Sequence, residues 1–284
     1  MLCFRPDPKM NRRDFLIGAA SGASSAVVLG AAVRAMSGRP SVREVQAPSP
    51  PTVSPGAAGT SVPHPDPLYE GRRSFAQQGE DLILYNLLHH ELKLETPTYL
   101  DIGAGDPVLS NNTYVLYCTG SRGVLVEPNP ALVEKLKAVR PGDVVVASGV
   151  GLKETTEADY YVIRGRWPLN TFSREDVAEL RGQSTEDPVE KVIKLPLIQI
   201  NRLIADHFKQ APDLLSIDIE GMDLAVLRSL DFRAHRPAAI CAETKKPWMS
   251  HDRTPIARLL RTKGYVACAG SLYNTIFVDR ARLT

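Results

Sequence analysis

Beyond residue 97 the chain alternates between short, nearly continuous apolar runs and longer stretches in which apolar residues recur every three or four positions. The first pattern is that of strands covered on both faces, and the second is that of amphipathic helices packed on them. Residues 74–91 read as a helix, with a Gln-rich polar start followed by Leu82, Ile83, Leu87 and Leu88 at helical spacing. Strands are predicted at 98–102, 123–126 and 144–147, separated by a short helix over 114–117 and a longer one over 130–139 that the Pro141-Gly142 turn closes. Residues 159–163 and 191–196 read as extended segments around an insertion. A helix over 199–208 then leads into an apolar strand from Leu214 to Ile219, and a second helix follows with Leu224, Leu227 and Leu230 on one face. A strand at 238–242, a helix at 255–263 and a hairpin of 265–269 with 275–278 complete the chain. Strands separated by helices require crossover connections, so the predicted fold class is α/β with a mainly parallel sheet and an antiparallel carboxyl-terminal edge hairpin.

The amino-terminal quarter has a different pattern. From Asn11 the sequence runs NRRDFLIGAASGASSAVVLGAAVRA, a twin arginine, an uncharged stretch from Phe15 to Val33 and a small-residue site at Ala35. It is similar to a twin-arginine export signal and makes residues 1–36 a predicted signal or anchor, with membrane association through 10–35 and the export machinery as expected partners. On that reading the protein works in the cell envelope or periplasm; a start at Met36 would leave it cytoplasmic. Residues 37–67, rich in Pro, Ser and Ala, hold too few large apolar side chains to offset the entropy of folding and read as a disordered linker. The folded domain is expected over 68–284.

Composition narrows little further. The 284 residues are 43% hydrophobic and carry 34 basic and 32 acidic side chains, a formal net charge of +2 that gives no sign of a nucleic-acid partner. Cys3, Cys118, Cys241 and Cys268 lack metal-ligand spacing. The last three lie in apolar sequence and are expected to be small core residues, although Cys241 and Cys268 could pair in an exported domain.

Candidate chemistry lies where the apolar runs stop. Asp218 and Glu220 bracket Ile219 at the end of the strand that begins at Leu214, and Gly221 permits a turn before the next helix. Acids at the carboxyl edge of a parallel strand face the crevice where open α/β sheets bind ligands; the alternative is that they cap that helix. Glu243 ends the next strand and would face the same edge. Upstream, YLDIGAGDP places Asp101, Gly103 and Gly105 in a D-x-G-x-G turn, and Glu127 ends the following strand. The glycines allow close backbone approach to a nucleotide, and an acid at the second strand can take both hydroxyls of a ribose. A nicotinamide site is disfavoured because Val108 stands where the third glycine of G-x-G-x-x-G would fall. Asn111 and Asn112 read as cofactor contacts or helix caps, His251 as a base or a solvated residue, and Trp167 and Trp248 as cleft-bordering aromatics or ordinary packing.

These segments carry a resemblance. SFAQQGEDLIL, YLDIGAGDPVLSNNTYVLY, GVLVEPNP, LNTF at 169–172, LLSIDIEGMDLAVLRSLDF and NTIFV, in this order, resemble the FkbM family of S-adenosylmethionine-dependent methyltransferases. The resemblance implies a Rossmann-like class I methyltransferase with a seven-stranded sheet, S-adenosylmethionine as cofactor, and O-methylation of a glycan, glycoconjugate or related small molecule. By resemblance and position, Asp101, Gly103 and Gly105 are assigned to the methionine end of the cofactor and Glu127 to its ribose, while Ser148, just past the strand 144–147, reads as an adenine contact or a turn residue. Asp218, Glu220 and Glu243 are assigned to the acceptor, as a general base or as ligands of a hard divalent cation. Gly105 departs from the family's pattern, where Asn is common. An alternative of another class is a non-enzymatic, exported or anchored glycan-binding domain on the same scaffold.

Overall fold

A computed structural model describes residues 73–166, 169–219, 221–244 and 254–283. The twin-arginine segment and the Pro-rich linker lie outside the described residues. Strands β1 (Tyr99–Ile102), β2 (Gly123–Val126), β3 (Val144–Val146), β7 (Leu214–Ile217), β8 (Ala239–Glu243), β9 (Tyr265–Gly270) and β10 (Asn274–Asp279) form one sheet in the order β3-β2-β1-β7-β8-β10-β9. The first five in that order are parallel, while β10 runs antiparallel to both β8 and β9. This is the mainly parallel sheet with an antiparallel carboxyl-terminal edge that the chain pattern predicts.

Every residue of β1, β7, β8 and β10 is buried, as continuous apolar runs require. One face carries Leu100, Ile102, Val124, Val126, Leu215, Ile217, Ile240, Ala242 and Phe277, all in one apolar cluster. Three helices complete that cluster: α5 (Ile200–His207) with Ile200, Leu203 and Ile204, α6 (Asp223–Ser229) with Val226 and Leu227, and α7 (Pro255–Thr262) with Ile256, Ala257 and Leu260. Their apolar residues recur at helical spacing, which puts them on one stripe. Thr254 caps α7 by accepting from the Ala257 N–H at 3.1 Å, and Pro255 occupies the first turn, where its missing N–H costs nothing.

Side chains alternate along a strand, so Tyr99, Asp101, Ser216 and Cys241 belong to the opposite face. Thr113, just before α2 (Tyr114–Cys118), and Arg140, just after α3 (Pro130–Val139), reach Asp101 and Tyr99 on that face, while α1 (Glu80–Tyr85) lies against α2 and β10. The helix predicted over 74–91 begins only at Glu80. Asp81 accepts from the Ser74 hydroxyl at 2.6 Å and the Phe75 N–H at 2.7 Å, Glu80 accepts from the Gln78 N–H at 2.8 Å, and Gly79 has φ 90°. These contacts hold 74–79 as a turn against helical winding. From Asn86 to Glu91 the helix widens into a π-helical turn, closed by Leu92 N–H to the Leu87 carbonyl at 2.9 Å.

The insertion is more structured than its pattern suggests. β5 (Thr155–Ile163) and β6 (Val189–Ile198) pair antiparallel, and β4 (Gly149–Val150) joins β6 to make a three-stranded sheet. Between them lies α4 (Arg174–Gly182), which the sequence pattern did not reveal because only Val177 and Leu180 are buried along it. Its start is set by Ser173, whose hydroxyl accepts from the Asp176 N–H at 3.0 Å. The expectation for the cysteines is corrected at two positions. Cys241 is buried, but Cys118 and Cys268 are exposed, the first at the end of a five-residue helix and the second on the outermost strand; all three are free thiols.

Candidate active site

The strand register brings three of the sequence-predicted acids, Glu127, Asp218 and Glu243, into one row. Ile102 is level with both Val126 and Ile217, Ile217 is level with Ala242, and Glu243 pairs with Asn274. One residue further toward the carboxyl edge, Glu127, Gly103, Asp218, Glu243 and Asn274 therefore stand side by side across five strands. Two contacts carry the ladder to that level: Gly103 N–H to the Val126 carbonyl at 2.9 Å and Asp218 N–H to the Ile102 carbonyl at 3.0 Å. Gly103 has φ 80°, and a Cβ added there would meet the Asp218 carbonyl oxygen at 2.1 Å. Glycine is demanded twice over, by the backbone conformation and by the approach of the two strands.

Glu127 shapes the loop that follows β1. Its carboxylate accepts from the Gly105 N–H at 2.9 Å and the Asn129 N–H at 2.8 Å, and only 4% of the residue is exposed. Burial pushes this carboxyl up to about 7; the two backbone donors oppose the shift and the Asp101 charge adds to it. Asp106 accepts from the N–H groups of Val108 and Leu109 and pairs with Lys135, while Asn111 donates to the carbonyls of Ala104 at 3.0 Å and Asp106 at 3.1 Å. The loop has little slack.

Asp101 sits one layer deeper, buried, with Oδ2 accepting from the Thr113 hydroxyl at 2.7 Å. Burial raises its carboxyl above the ordinary range, against the lowering effect of the Thr113 bond and the Arg140 charge. Arg140, at the C-cap of α3, is fully buried and forms an ion pair at 2.8 Å with Asp143, whose side chain is also fully buried. Its other donors reach Tyr99 OH at 2.9 Å, Thr113 Oγ1 at 3.1 Å and Asn111 Oδ1 at 3.1 Å. Nothing in the local pattern singled out Arg140; an arginine one residue before a Pro-Gly turn ordinarily reads as a solvated helix terminus.

Asp223 and Glu80 were also missed. Asp223 accepts from the N–H groups of Ile219 and Gly221, both at 3.2 Å, so it holds the turn that presents Asp218. Burial, with the Asp218 charge, pushes it up to about 7. The signal was present in the sequence as an acid two residues after Gly221, but the helical pattern absorbed it. Glu80 is fully buried and accepts from Asn274 Nδ2 at 2.9 Å and from the Ser271 hydroxyl, tying the first helix to the closing hairpin.

The remaining predicted residues separate. Ser148 is buried just past β3, where its hydroxyl bonds the Gly149 carbonyl at 3.2 Å. Asn111 staples the loop, whereas Asn112 reaches toward Ser216 at 3.4 Å. Glu220, Trp167, Trp248 and His251 lie outside the described residues. Among the described residues no three His, Cys, Asp or Glu side chains are arranged to hold a metal ion. No helix among them is long and apolar enough to cross a membrane.

The donor set fits the cofactor that the resemblance implies. A sulfonium and an ammonium want a carboxylate nearby, and a ribose diol wants an acceptor with two oxygens; Asp101 on β1 can supply the first and Glu127, just beyond β2, the second.

The chain is similar in structure to a methyltransferase FkbM from Methylobacillus flagellatus, with 16% identity over 65% of this chain and 44% of that one and a TM-score of 0.35. This chain thus spans less than half of that protein's length. It is also similar to a TehB-like SAM-dependent methyltransferase from Corynebacterium glutamicum, with 13% identity, 72% and 88% coverage and a TM-score of 0.36. An O-methyltransferase from Bacillus cereus in complex with SAH shows 12% identity, 70% and 78% coverage and a TM-score of 0.35. No curated protein sequence matches. The model of the methyltransferase FkbM domain matches residues 101–267, more than half of the chain, from the acid of the glycine turn to the penultimate strand, and the chain belongs to that family.

Proposed function

We propose that the domain is an S-adenosylmethionine-dependent O-methyltransferase whose acceptor is a hydroxyl of a glycan, glycoconjugate or related small molecule. The observation that carries this reading is the edge row, in which Glu127 and Gly103 adjoin Asp218 and Glu243. It sets a nucleotide-type half beside an acidic half with no strand between them. When bound, the cofactor supplies a methyl already activated on a sulfonium.

The chain's own work is then alignment and proton removal. Glu127 takes the ribose hydroxyls with the lone pairs that Gly105 and Asn129 leave open. Asp101 faces the cationic methionine end. Asp218, at the strand end and held by the Asp223 turn, accepts the proton of the acceptor hydroxyl, and Glu243 orients that hydroxyl from the next strand.

Titration calorimetry of the full chain with S-adenosylmethionine tests the cofactor half. Glu127→Ala should weaken binding by about tenfold or more, the worth of one charge-assisted hydrogen bond. Asp218→Ala should bind as the natural protein does, yet transfer no labelled methyl to a panel of soluble saccharides that the natural protein methylates. A natural protein that binds no cofactor would replace this reading with the non-enzymatic glycan-binding one.

A further inference from the structure

Four hydrogen bonds leave the buried guanidinium of Arg140, and they divide into two pairs. The bonds to Asp143 Oδ2 and Tyr99 OH stay within the framework, since Asp143 in turn accepts from Tyr99 OH at 2.8 Å and from the Gly123 N–H at 2.9 Å. These two bonds alone would join α3 to β1 and β2. The other two point toward the glycine loop. Thr113 Oγ1 accepts from Arg140 and gives its single proton to Asp101 Oδ2 at 2.7 Å, the nearer and charged one of its two acceptors, the other being Asn111 Oδ1 at 3.1 Å. Asn111 Oδ1 accepts from Arg140 and from the Thr113 N–H at 3.0 Å, which turns its amide nitrogen toward the carbonyls of Ala104 and Asp106.

We propose that Arg140 is a positioning residue for the cofactor: through Thr113 it presents the Asp101 carboxylate, and through Asn111 it fixes the backbone of the glycine loop. This rests on the reading that the loop of Asp101, Gly103 and Gly105 binds S-adenosylmethionine. A neutral or shorter side chain at position 140 could fill the space but could not hold both relays. Lysine keeps the charge and loses the fork.

The relay has a pH signature that simple packing lacks. Asp101 is faced by Arg140 from the end of α3, Thr113 from the start of α2, Ser216 on β7, Asp218 beyond it, Glu127 beyond β2 and Cys241 on β8. Of these, the Thr113 hydroxyl, Arg140 and Ser216 favour the ionised form, while burial and Asp218 oppose it. Removing Thr113 or Arg140 therefore lets Asp101 keep its proton to higher pH. A cationic cofactor needs the ionised form, so binding should fail earlier on acidification.

The test is S-adenosylmethionine affinity of the full-length protein by titration calorimetry from about pH 5.5 to about pH 9, for the natural chain, Thr113→Val, Arg140→Gln and Arg140→Lys. Thr113→Val should weaken binding about tenfold near neutrality and move the midpoint of the pH profile upward. Arg140→Gln should move it further, and Arg140→Lys should bring it back toward the natural value. Glu127 titrates in every variant, so the displacement between profiles is the reading. A weakening by one constant factor at all pH values, or superimposable profiles, overturns the proposal. If Arg140→Gln does not fold, Thr113→Val decides alone, because the Arg140–Asp143 pair survives in it. A natural protein that binds no cofactor overturns this inference together with the proposed function, whereas normal binding with unshifted variants overturns this inference alone.

Discussion

One face of the seven-stranded sheet is apolar throughout, whereas the other sets a polar network among apolar side chains. On one, α5, α6 and α7 cover an apolar cluster with no charged member, from Leu100 and Ile102 through Leu227 to Phe277. On the other, the same strands present Tyr99, Asp101, Ser216 and Cys241 beside Leu125, Leu214 and Ile276, and an arginine and an aspartate with fully buried side chains complete a polar network. Apolar burial is non-directional and stabilises whatever packs well. A buried ion pair contributes little net stability, because desolvation offsets most of the attraction, but its hydrogen bonds fix geometry. The apolar cluster therefore contributes cohesion alone, and the polar network of the other face holds the loop that the candidate site needs.

The largest effect that would sharpen this contrast is the loss of one ion-pair partner. Arg140→Met should destabilise the domain by about 3–5 kcal/mol, since Asp143 would remain buried and unpaired. Adding Asp143→Leu should recover much of that loss in chemical denaturation, yet leave S-adenosylmethionine affinity as weak as in the single variant. Recovery of affinity along with stability would erase the distinction between the faces. On the apolar side Leu227→Ala should cost about 2–5 kcal/mol through the cavity left among α5, α6 and the sheet. Its cofactor affinity, measured where the variant is folded, should match that of the natural protein. A large affinity loss there would show that the apolar face also positions the site.

How much of this was legible in the sequence follows the same division. The apolar runs and their helical counterparts placed β2 and α3 at their observed bounds and every other strand of the seven-stranded sheet within one or two residues, because hydrophobic period is a local property; β4 and the first half of β5 were not read. Asp101, Gly103, Glu127, Asp218 and Glu243 were readable because each ends or follows an apolar run, and the register sets four of them in one row. Arg140, Asp143 and Glu80 were not, because their partners lie 27 to 41, 20 to 44 and 191 to 194 positions away, except for the Arg140–Asp143 and Glu80–Gln78 contacts. Charged residues in helix ends and turns look solvated until tertiary contacts bury them. Helix α4 escaped for a related reason, being only half-covered by a small satellite cluster of Ile163, Leu169 and Leu180.

The smallest predicted effect concerns the pH dependence of stability in the cofactor-free protein. Glu127 and Asp223 are each pushed up to about 7 in the folded state, from ordinary values of 4.5 and 3.8. Below the ordinary values both are protonated whether or not the chain is folded, and the stability they contribute is fully present. As pH rises, the unfolded chain releases these protons first, so stability falls until the folded-state groups also ionise near 7. Asp106 and Asp279 are shifted down, the first by backbone and Lys135 bonds against some burial and the second chiefly by Arg236. Their contribution changes only in more acidic solution, so it is constant in this window. The thermal midpoint should therefore decline between about pH 5 and about pH 8. Glu127→Gln should flatten part of that decline, because the amide cannot ionise, whereas Leu227→Ala should lower the midpoint at every pH and leave the slope unchanged. Equal slopes in all three proteins would mean that the polar edge adds no titrating strain to the fold. A flattening confined to Glu127→Gln would place the destabilising charge at the candidate site, on the face whose role is geometry.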